Sequence, residues 1–423
     1  MKPERPLKIV LLSYHDQNGG AAIACGRLHE ALTQAGHDVK TLVQKKGGIG
    51  PSQSLETSIW KKWMTWVRFV SERLYFLLFE KDKSIRFHFN PGIFGQDISR
   101  HPALLEADII HLHWINFGFL SIDSIEKILQ LNKPVFWTLH DMWAFTGGCH
   151  HSGDCLHFEL HCGKCKFLAC PKSEDISHRL WAAKQQKFQY PNLHIITCSE
   201  WLGQRAESSS ILKGRTIQTI ANPIDVGLFK MGDKTEAKKS LGLDPAKQYL
   251  LFVAMRVNAP AKGFHYLKKA LDLWVEKYPE QASSTELLVV GEISDLPTIQ
   301  SLPLALRCLG IVHDPNIMMK AYQAAEMFIT PSLEENLPNT IMEAMACGTP
   351  CLGFQIGGIP EMIEHQINGY VAQFQNAKDL SEGIAYIFPK SKELGLAARK
   401  KVESHYEASI IAEKHIQYYQ TCL

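Results

Sequence analysis

The sequence predicts an α/β protein with two doubly wound parallel-sheet domains. Runs with the character of buried strands alternate with helical segments through both halves of the chain, and parallel strands need such helices to connect them. The chain has 423 residues, which is more than one hydrophobic core usually serves and fits two domains of roughly 200 residues each. The stretch Ala221–Asp225 interrupts the pattern, so we predict domains at residues 1–222 and 223–405.

The composition narrows the possible classes of function. Hydrophobic residues make up 45% and charged residues 21% of a chain whose formal net charge is +2, which argues against nucleic-acid binding through bulk electrostatics. No run of about 18 uncharged apolar residues is present, so we expect no transmembrane helix. Residues 1–16 lack the apolar core of a secretory signal. We therefore expect a cytoplasmic protein whose thiols are reduced.

The chain begins with the pattern of a strand, a glycine turn and a helix. Lys8–Ser13 is a buried-strand run, and Gly19 and Gly20 precede a small-residue helix at Ala21–Ala35. Because glycine has no Cβ, such a turn lets a phosphate approach the backbone closely. The full G-x-G-x-x-G pattern is missing, and an ordinary strand–helix turn is the alternative.

Two further predicted strands end in histidine, at His113 and His140, and Trp114 and Asp141 follow them directly. In open α/β sheets ligands bind beyond the carboxyl ends of the strands. A single histidine there is often only a structural residue. Two histidines at equivalent strand ends favour a ligand site.

A cysteine-rich segment follows at residues 149–170. It holds five of the eleven cysteines, with four histidines between them. Cys162-x2-Cys165 has the spacing of a zinc knuckle, and a reducing cytoplasm disfavours structural disulfides. We predict a structural rather than catalytic zinc ion held by Cys155, Cys162, Cys165 and Cys170. Free thiols that line a loop, or a loop closed by disulfides, are the alternatives.

The second half opens with the strand run Tyr249–Met255, whose unbroken apolar character is typical of a parallel strand buried on both faces. Arg256 follows it directly, and Lys262 stands at the start of the next helix. Arginine offers a planar fork and lysine a point charge, so these cations could clamp a diphosphate. Two unrelated surface cations are the alternative.

The most informative stretch is Ala324–Gly358, which reads as a β-loop-α-β unit with Glu335 in its loop and Glu343 on its helix. The helix N-terminus, at Asn339 and Thr340, offers unpaired N–H groups and a positive dipole end to an anion. Glu343 would repel a phosphate but could accept hydrogen bonds from ribose hydroxyls. The unit predicts a nucleotide site, unless Glu335 is a solvated loop residue and Glu343 an ordinary helix former.

The spacing Glu335-x7-Glu343, with AMACGTP at 344–350 and GGIPE at 357–361, resembles the family 4 glycosyltransferases. The resemblance implies the GT-B architecture, in which two Rossmann-like domains face a cleft and a C-terminal helix, here residues 406–423, returns to the first domain. It also implies transfer of a sugar from a nucleoside diphosphate sugar to a hydroxyl, with retained anomeric configuration and no metal cofactor.

The resemblance also implies roles for individual residues. Glu335 and His140 would contact the donor sugar, and Glu343 would hold the ribose. Arg256 and Lys262 would stabilise the departing diphosphate in place of a metal, although one more residue separates them here than is usual in the family. The other donor-binding residues that the resemblance implies are Gly19, Gly20, Ile311, Asn339 and Thr340.

The segment Trp60–Phe79 mixes three tryptophans with four basic residues. A basic aromatic amphipathic helix can lie in a membrane interface, and ordinary packing on the domain is the alternative. Contact with the inner membrane surface would suit a lipid-linked acceptor. This segment and the family resemblance together lead us to predict transfer to a glycan or lipid-linked acceptor in surface polysaccharide biosynthesis.

Three rival functions stay open. A nucleotide-sugar epimerase or hydrolase of the same fold would turn over donor without an acceptor. A non-catalytic zinc-binding assembly subunit would bind metal and partner but no nucleotide. A dinucleotide-dependent oxidoreductase is disfavoured, since no G-x-G-x-x-G follows either leading strand.

Overall fold

The structure is a computed structural model that describes residues 5–48, 50–293 and 301–423. The chain divides into two compact units, Met1–Pro223 together with Ile411–Leu423, and Ile224–Ile410. The first boundary, after Pro223, lies one residue beyond the predicted one at residue 222. The second, after Ile410, lies five residues beyond the predicted one at residue 405. Residues 1–4 of the predicted first domain lie outside the described residues.

The first unit contains a seven-stranded sheet in the order β3-β2-β1-β4-β5-β6-β7, and all its pairings are parallel. The strands are β1 Lys8–His15, β2 Asp38–Lys45, β3 Gln53–Ser54, β4 Ile109–Leu112, β5 Val135–Leu139, β6 Leu193–Thr197 and β7 Ile217–Thr219. The helices are Gly20–Gln34, Ile59–Leu77, Pro102–Glu106, Ile122–Leu129, Ile176–Lys187 and Glu200–Ser208, with one-turn 3₁₀ segments at Lys83–Ile85, Trp143–Phe145 and His157–Glu159.

The strand order of the first unit explains where a ligand could bind. Strands β4 and β5 are buried at every residue, as expected for central strands covered on both faces. From β1 the chain runs outward to β2 and β3, then crosses back to β4 on the other side of β1. This reversal between β1 and β4 is a topological switch point, which opens a crevice at the carboxyl ends of the strands.

The second unit contains a six-stranded sheet in the order β10-β9-β8-β11-β12-β13, and again every pairing is parallel. The strands are β8 Gln248–Arg256, β9 Thr285–Glu292, β10 Ala305–Cys308, β11 Met327–Thr330, β12 Cys351–Phe354 and β13 Gly369–Ala372. The helices are Lys234–Ser240, Phe264–Lys277, Pro279–Ser283, Pro315–Ala324, Asn339–Ala346, Ile359–Met362, Ala377–Ile387 and Ser391–His405, with 3₁₀ segments at Pro260–Lys262 and Phe388–Lys390.

The second sheet has its own switch point, between β8 and β11. The last helix, Ala408–Thr421, begins in the second unit and continues into the first. There the hydroxyl of Tyr419 lies 2.6 Å from Nδ1 of His111 in β4. The predicted fold class, α/β with two doubly wound parallel sheets, is confirmed.

Candidate functional site

The switch point of the second sheet holds a carboxylate–ammonium pair. Nζ of Lys262 lies 2.5 Å from Oε1 of Glu335. The Lys262 side chain is 36% exposed and that of Glu335 15% exposed, so the pair is accessible from one side. The amide of Leu333 donates to the carbonyl of Ala261 at 2.7 Å, which ties the loop after β11 to the turn after β8. Two predicted site residues are thus brought together across 73 residues of chain.

Two glycines fix the loop that carries Glu335. Gly263 has φ +66°, and a Cβ there would lie 1.8 Å from the carbonyl oxygen of Pro331. Gly357 has φ +56°, and a Cβ there would lie 1.8 Å from the carbonyl oxygen of Glu335. The amide of Gly358 donates to the carbonyl of Asn336 at 2.7 Å. Only glycine allows backbones to approach this closely in a left-handed conformation, so the GGIPE motif braces the Glu335 loop.

Glu343 lies buried on the helix Asn339–Ala346. The hydroxyl of Tyr322 donates to its Oε2 at 2.9 Å, and burial together with this carboxylate raises the pKa of Tyr322 well above its usual value. Tyr322 therefore orients Glu343. Sequence reasoning missed Tyr322, because nothing in its own helix marks it as a partner of a residue in the next one.

The start of the same helix is where the sequence predicts an anion. Its N-cap residue is Pro338, whose side chain accepts from none of the first N–H groups, in contrast to the usual Ser, Thr, Asp or Asn at this position. Asn339 is buried and Thr340 partly exposed at this end. The helix start lies at the carboxyl edge of the second sheet, and its role in anion binding stays a prediction.

Two other predicted donor-site residues also lie at this edge. Arg256 is exposed at the end of β8, beyond an irregularity in the β8–β9 pairing that starts at Val253. Ile311 is exposed just after β10, where the amide of Gly291 donates to the carbonyl of Gly310 at 2.8 Å. Both are accessible to a ligand.

In the first unit the two predicted strand-end histidines are directly joined. Nδ1 of His113 lies 3.1 Å from Nε2 of His140, and the rings are stacked with centroids 5.3 Å apart. His111, two residues earlier in β4, stacks on His113 at 4.6 Å and lies 2.7 Å from the hydroxyl of Thr138. Three histidines therefore form a continuous row towards the carboxyl end of the sheet.

This histidine row is neutral. Burial lowers the pKa of His140 to about 4 although Asp141 opposes it, and burial lowers the pKa of His111 and His113 well below the usual value. Nε2 of His113 is buried and has no hydrogen-bond partner among the described residues. Neutral imidazoles can donate or accept a hydrogen bond to a sugar hydroxyl without attracting phosphate.

Asp141 is the hub of a second polar network. Its Oδ2 accepts from Nε1 of Trp114 at 2.9 Å and lies 2.7 Å from Nδ1 of His150. Its Oδ1 accepts the amide of Trp143 at 2.8 Å. Burial favours the neutral acid, yet these partners hold the pKa of Asp141 below its usual value. Asp141 thus fixes the loop beside His140, a role that the sequence did not reveal.

The glycine turn lies at the same edge of the first sheet. Gly19 has φ +94° and precedes the helix Gly20–Gln34, and a Cβ at Gly19 would meet no atom within 4 Å. The amide of Tyr14 donates to the carbonyl of Trp114 at 2.7 Å, which joins the ends of β1 and β4. Gly19 and Gly20 therefore border open space beside the switch point.

The predicted zinc ligands are not brought together. Among the residues that the structure describes, no three His, Cys, Asp or Glu side chains are arranged so that they could hold a metal ion. Cys155, Cys162 and Cys165 border one cavity, but Cys170 is exposed and does not, whereas Cys149 does.

The tryptophan-rich segment is a helix, Ile59–Leu77, with an apolar face in solvent. Trp60, Trp63 and Trp66 are 74%, 50% and 60% exposed. Of the four basic residues, Arg73 is buried and bonds the carbonyl of Arg86 at 2.6 Å, so the segment is less basic at its surface than its composition suggests. No helix in the described ranges has both the length and the apolar composition needed to cross a membrane.

Two family models match the chain. The model described as Glycosyltransferase Family 4 matches residues 18–228, and the model described as Glycosyl transferases group 1 matches residues 247–388. A D-inositol 3-phosphate glycosyltransferase from Actinosynnema mirum is 30% identical over 309 residues, which are 71% of this chain and 68% of that protein.

Two other relatives match over a smaller share of the chain. N-acetyl-alpha-D-glucosaminyl L-malate synthase from Bacillus anthracis is 26% identical over 226 residues, 51% of this chain and 55% of that protein. A D-inositol 3-phosphate glycosyltransferase from Segniliparus rotundus is 32% identical over 162 residues, 36% of this chain. The chain spans only 35% of the length of this second inositol phosphate relative.

Solved structures share the fold over nearly the whole chain. Sucrose-phosphate synthase from Thermosynechococcus elongatus has a TM-score of 0.65 at 18% identity and covers 99% of both chains. Anabaena Alr3699/HepE in complex with UDP-glucose has a TM-score of 0.61 at 15% identity, over 98% of this chain and 100% of the other. At such identities the likeness concerns the GT-B fold. Together with the family matches, it shows that the chain belongs to glycosyltransferase family 4.

Proposed function

We propose that this protein transfers a sugar from a nucleoside diphosphate sugar to a hydroxyl of a glycan or lipid-linked acceptor, with retention of configuration, in surface polysaccharide biosynthesis. The observation that carries the proposal is the Glu335–Lys262 pair, which lies at a sheet switch point a few residues before the helix that starts at Asn339. The relatives named glycosyltransferases and the solved complex of HepE with UDP-glucose support this class of donor.

The second unit supplies the groups that a nucleotide needs. The diphosphate gains negative charge as it leaves, and Arg256, Lys262 and the helix start at Asn339–Thr340 can stabilise it. Glu343, oriented by Tyr322, would accept hydrogen bonds from the ribose hydroxyls. Two cations and a helix dipole can together supply the stabilisation that a divalent metal gives elsewhere, so we infer metal-independent transfer.

Glu335 in the second unit would act on the donor sugar, and the family resemblance assigns His140 in the first unit to a sugar hydroxyl. Glu335 is held at one oxygen by Lys262, which leaves its second oxygen for a sugar hydroxyl or for the positive charge that develops on the ring. His140 is neutral, so it would form a hydrogen bond with the sugar without competing for phosphate. Gly19 and Gly20 would let the phosphates approach the backbone, and the exposed Ile311 would border the base.

The acceptor side of the proposal rests on the helix Ile59–Leu77. Ile59, Trp63 and Trp66 are spaced by four and three residues and Leu74 and Leu77 by three. Leu74 follows Trp66 by eight residues, about two helical turns. All five side chains are exposed, so they form one apolar stripe facing solvent. Exposed lysines stand near its start and after its end, at positions 61, 62, 81 and 83. An aromatic stripe with lysines is typical of a helix lying in an anionic lipid surface. We therefore infer peripheral attachment to the cytoplasmic face of a membrane.

A donor panel tests the transfer. We would measure calorimetric binding of uridine, guanosine and adenosine diphosphates and their sugars with EDTA present, then follow release of diphosphate with and without acceptor glycans. We expect one nucleotide to bind despite EDTA and release to depend on an acceptor. Rapid release without acceptor would favour the hydrolase or epimerase alternative, and absence of any nucleotide binding would contradict the proposal.

A vesicle experiment tests the membrane contact. We expect the protein to sediment with vesicles of anionic phospholipid, and the double variant Trp63→Ser/Trp66→Ser to remain in solution. The control is Leu273→Ser, which removes a similarly exposed apolar side chain from the second unit. Concentration-dependent dimerisation through the stripe, with no lipid binding, would overturn the membrane assignment.

A further inference from the structure

Five aromatic side chains meet around Phe117 at the carboxyl edge of the first sheet. The ring centroids of the other four lie 4.8–6.2 Å from that of Phe117 in edge-to-face contacts, and the four are Tyr14, Phe69, Phe87 and Trp114. Phe87 is exposed and the remaining rings are partly exposed. We call these five residues the Phe117 cluster. Aromatic side chains that stay accessible at the ligand-binding edge of a sheet are typical of the lining of a ligand site.

The backbone at Phe117 is strained. Its φ is +57°, in the left-handed region that bulky residues rarely adopt. Gly118 has φ +82°, and a Cβ there would lie 2.9 Å from the amide nitrogen of Phe69, so the turn packs closely against the helix Ile59–Leu77. Asparagine or glycine would adopt the conformation of residue 117 at lower cost. Strain of this kind is found mainly at functional sites, which indicates that the ring of Phe117 serves a ligand.

Two buried polar atoms beside the cluster lack a partner. Nε2 of His150 and Nδ2 of Asn116 are buried, and neither has a hydrogen-bond partner in the part of the chain that the structure describes. The ring centroid of His150 lies 5.9 Å from that of Trp114 and 6.2 Å from that of Phe117. Buried polar groups are normally paired. Both atoms therefore indicate that a polar ligand completes this region, and a sugar hydroxyl can both donate and accept.

Lys45 adds a positive charge at the edge of the cluster. It is the last residue of β2 and is exposed, and its Nζ lies 5.7 Å from the ring centroid of Tyr14 and 5.8 Å from that of Phe69. No carboxylate among the described residues forms an ion pair with it. The carboxylate of Asp16, which follows β1, is used within its own region, where its Oδ2 accepts the hydroxyl of Ser52 at 2.9 Å. An unpaired ammonium group over aromatic rings can bind the anion of a ligand.

The cluster adjoins the apolar stripe of the helix Ile59–Leu77. Phe69 follows the exposed Trp66 by three residues, which is about 4.5 Å along the helix axis. The same helix is packed onto the cluster, because the guanidinium of Arg73 lies 5.1 Å from the ring centroid of Phe117. The stripe, the cluster and the lysine beside it therefore belong to one packed structure within the first unit. A ligand at the cluster lies about one helical turn from a surface that can contact lipid.

We propose that the Phe117 cluster and Lys45 bind the acceptor, and that the acceptor is a sugar joined to a lipid through a phosphate group. Lys45 binds the phosphate, and the sugar packs against Phe117 and Trp114. The lipid chain runs past Phe69 towards the apolar stripe. This inference rests on the sugar transfer proposed above and narrows its acceptor to a phosphate-linked lipid.

Charge and strain favour this acceptor over two others. A neutral glycan would leave the ammonium group of Lys45 without a partner. The headgroup of an ordinary anionic phospholipid would pair with Lys45, but it would leave the strained ring of Phe117 without a sugar to pack on. A phosphate-linked sugar supplies the anion, the ring and the hydroxyl groups together.

Calorimetry with matched acceptor probes tests the proposal. The probes carry glucose, galactose or N-acetylglucosamine on a prenyl chain of three isoprene units, joined either through a phosphate or directly as a neutral glycoside. We expect at least one phosphate-linked probe to bind. Its neutral counterpart should bind at least about tenfold more weakly, because it lacks a charge-assisted contact. Farnesyl phosphate, which has the anion and the chain but no sugar, should also bind more weakly.

Lys45→Gln separates the phosphate contact from general effects of charge. We expect it to weaken binding of the phosphate-linked probe about tenfold and to leave the neutral probe unchanged. The matched control is Lys40→Gln, near the opposite end of the same strand, where Nζ of Lys40 lies 3.7 Å from Oε2 of Glu106. This control removes the same charge, so its affinity for the probe should equal that of the wild type.

Phe117→Asn tests the sugar contact. Asparagine tolerates the left-handed backbone at this position, and thermal unfolding checks that the variant folds. We expect the affinity for the phosphate-linked sugar to fall about threefold to tenfold, with unchanged affinity for farnesyl phosphate. Equal losses for both probes would mean that the ring only supports the fold, which overturns the sugar contact.

The proposal is overturned if no phosphate-linked probe binds, if the neutral probes bind equally well, or if Lys45→Gln behaves like Lys40→Gln. Equal binding of farnesyl phosphate and the phosphate-linked sugars would identify a phospholipid surface instead of an acceptor site. A protein that binds a nucleoside diphosphate but fails these tests keeps the proposed transfer and loses this acceptor. A protein that binds the probe through Lys45 but binds no nucleotide keeps the site and loses the transfer.

Discussion

The carboxyl ends of the two sheets both carry polar clusters, but one cluster is charged and the other is neutral. In the second unit the groups are charged and partly exposed, with Glu335 paired to Lys262. In the first unit they are histidines, stacked, largely buried and neutral. A charged cluster suits a diphosphate whose charge grows during the reaction, whereas a neutral row suits sugar hydroxyls. The two sheets thus share a switch-point topology but differ in how far the polar cluster at the carboxyl end is buried, and burial keeps the histidines neutral.

The largest effect is expected from Glu335→Gln, which keeps the shape of the side chain but removes its charge. We expect turnover to fall on the order of 10²-fold or more, as for loss of one transition-state electrostatic contact, while nucleoside diphosphate binding stays. Steady-state kinetics and calorimetry separate the two quantities. If kcat is unchanged, Glu335 does not act on the sugar.

A second ion pair in the same unit serves as the control. Nζ of Lys401 lies 2.6 Å from Glu364 Oε1, and Glu364 is about half exposed. Glu364→Gln removes a carboxylate from a similar pair away from the switch point, so turnover should change little. Equal losses in both variants would mean that the effect on Glu335 reflects general destabilisation.

A smaller effect is expected at Glu343, which we assign to binding and not to turnover. Glu343→Gln should weaken nucleotide binding by about tenfold to a hundredfold, because charge-assisted hydrogen bonds contribute about 1.5–3 kcal/mol. Tyr322→Phe keeps the carboxylate but removes its donor, so a loss of only about fivefold is expected. Calorimetric titration with the donor nucleotide measures both. A loss in kcat with unchanged affinity would contradict this division of roles.

The β-loop-α-β unit at Ala324–Gly358 in the second unit could be predicted from local sequence signals. The strands Met327–Thr330 and Cys351–Phe354 lie where the apolar runs predicted them, and Gly348 ends the helix between them. These signals involve residues within a few turns of one another. The identity of the family also followed from one continuous stretch.

Partners distant in sequence could not be predicted. The contacts of Glu343 with Tyr322 and of His113 with His140 join residues 21 and 27 positions apart, and no periodicity links them. The cysteine loop has neither helical nor strand periodicity, so the sequence did not show that Cys149 rather than Cys170 borders a cavity with Cys155, Cys162 and Cys165. Which cysteines share a cavity depends on how the loop packs, and this is a tertiary property.

We expect kcat to fall about fivefold to tenfold when the histidine row is broken at His113. His113→Phe removes the ring nitrogen beside Nε2 of His140, so we expect the tautomer and orientation of His140 to change. One hydrogen bond of about 1 kcal/mol corresponds to such a loss in kcat.

Nitrogen NMR of the His140 ring should show a changed tautomer, which a purely structural role would not produce. His113→Asn, which can restore a polar partner, should recover part of the activity, and equal loss in both variants would contradict the positioning role.

The smallest effect concerns acid stability, and it should differ between the two units. In the first unit burial lowers the pKa of His111, His113, His140 and His415, whereas the second unit has only His265 shifted this way among its described residues. Below pH 6.5 the unfolded chain binds protons that these folded histidines do not. The free energy of unfolding therefore falls as the pH drops from 6.5 towards 4.

Hydrogen exchange at pH 7.5 and 5, corrected for intrinsic rates, should show the first unit losing at least about 1 kcal/mol of protection and the second unit losing less. If the second unit loosens first, the stability of the fold does not depend on a neutral histidine row, and the electrostatic contrast between the two sheet ends has no thermodynamic consequence.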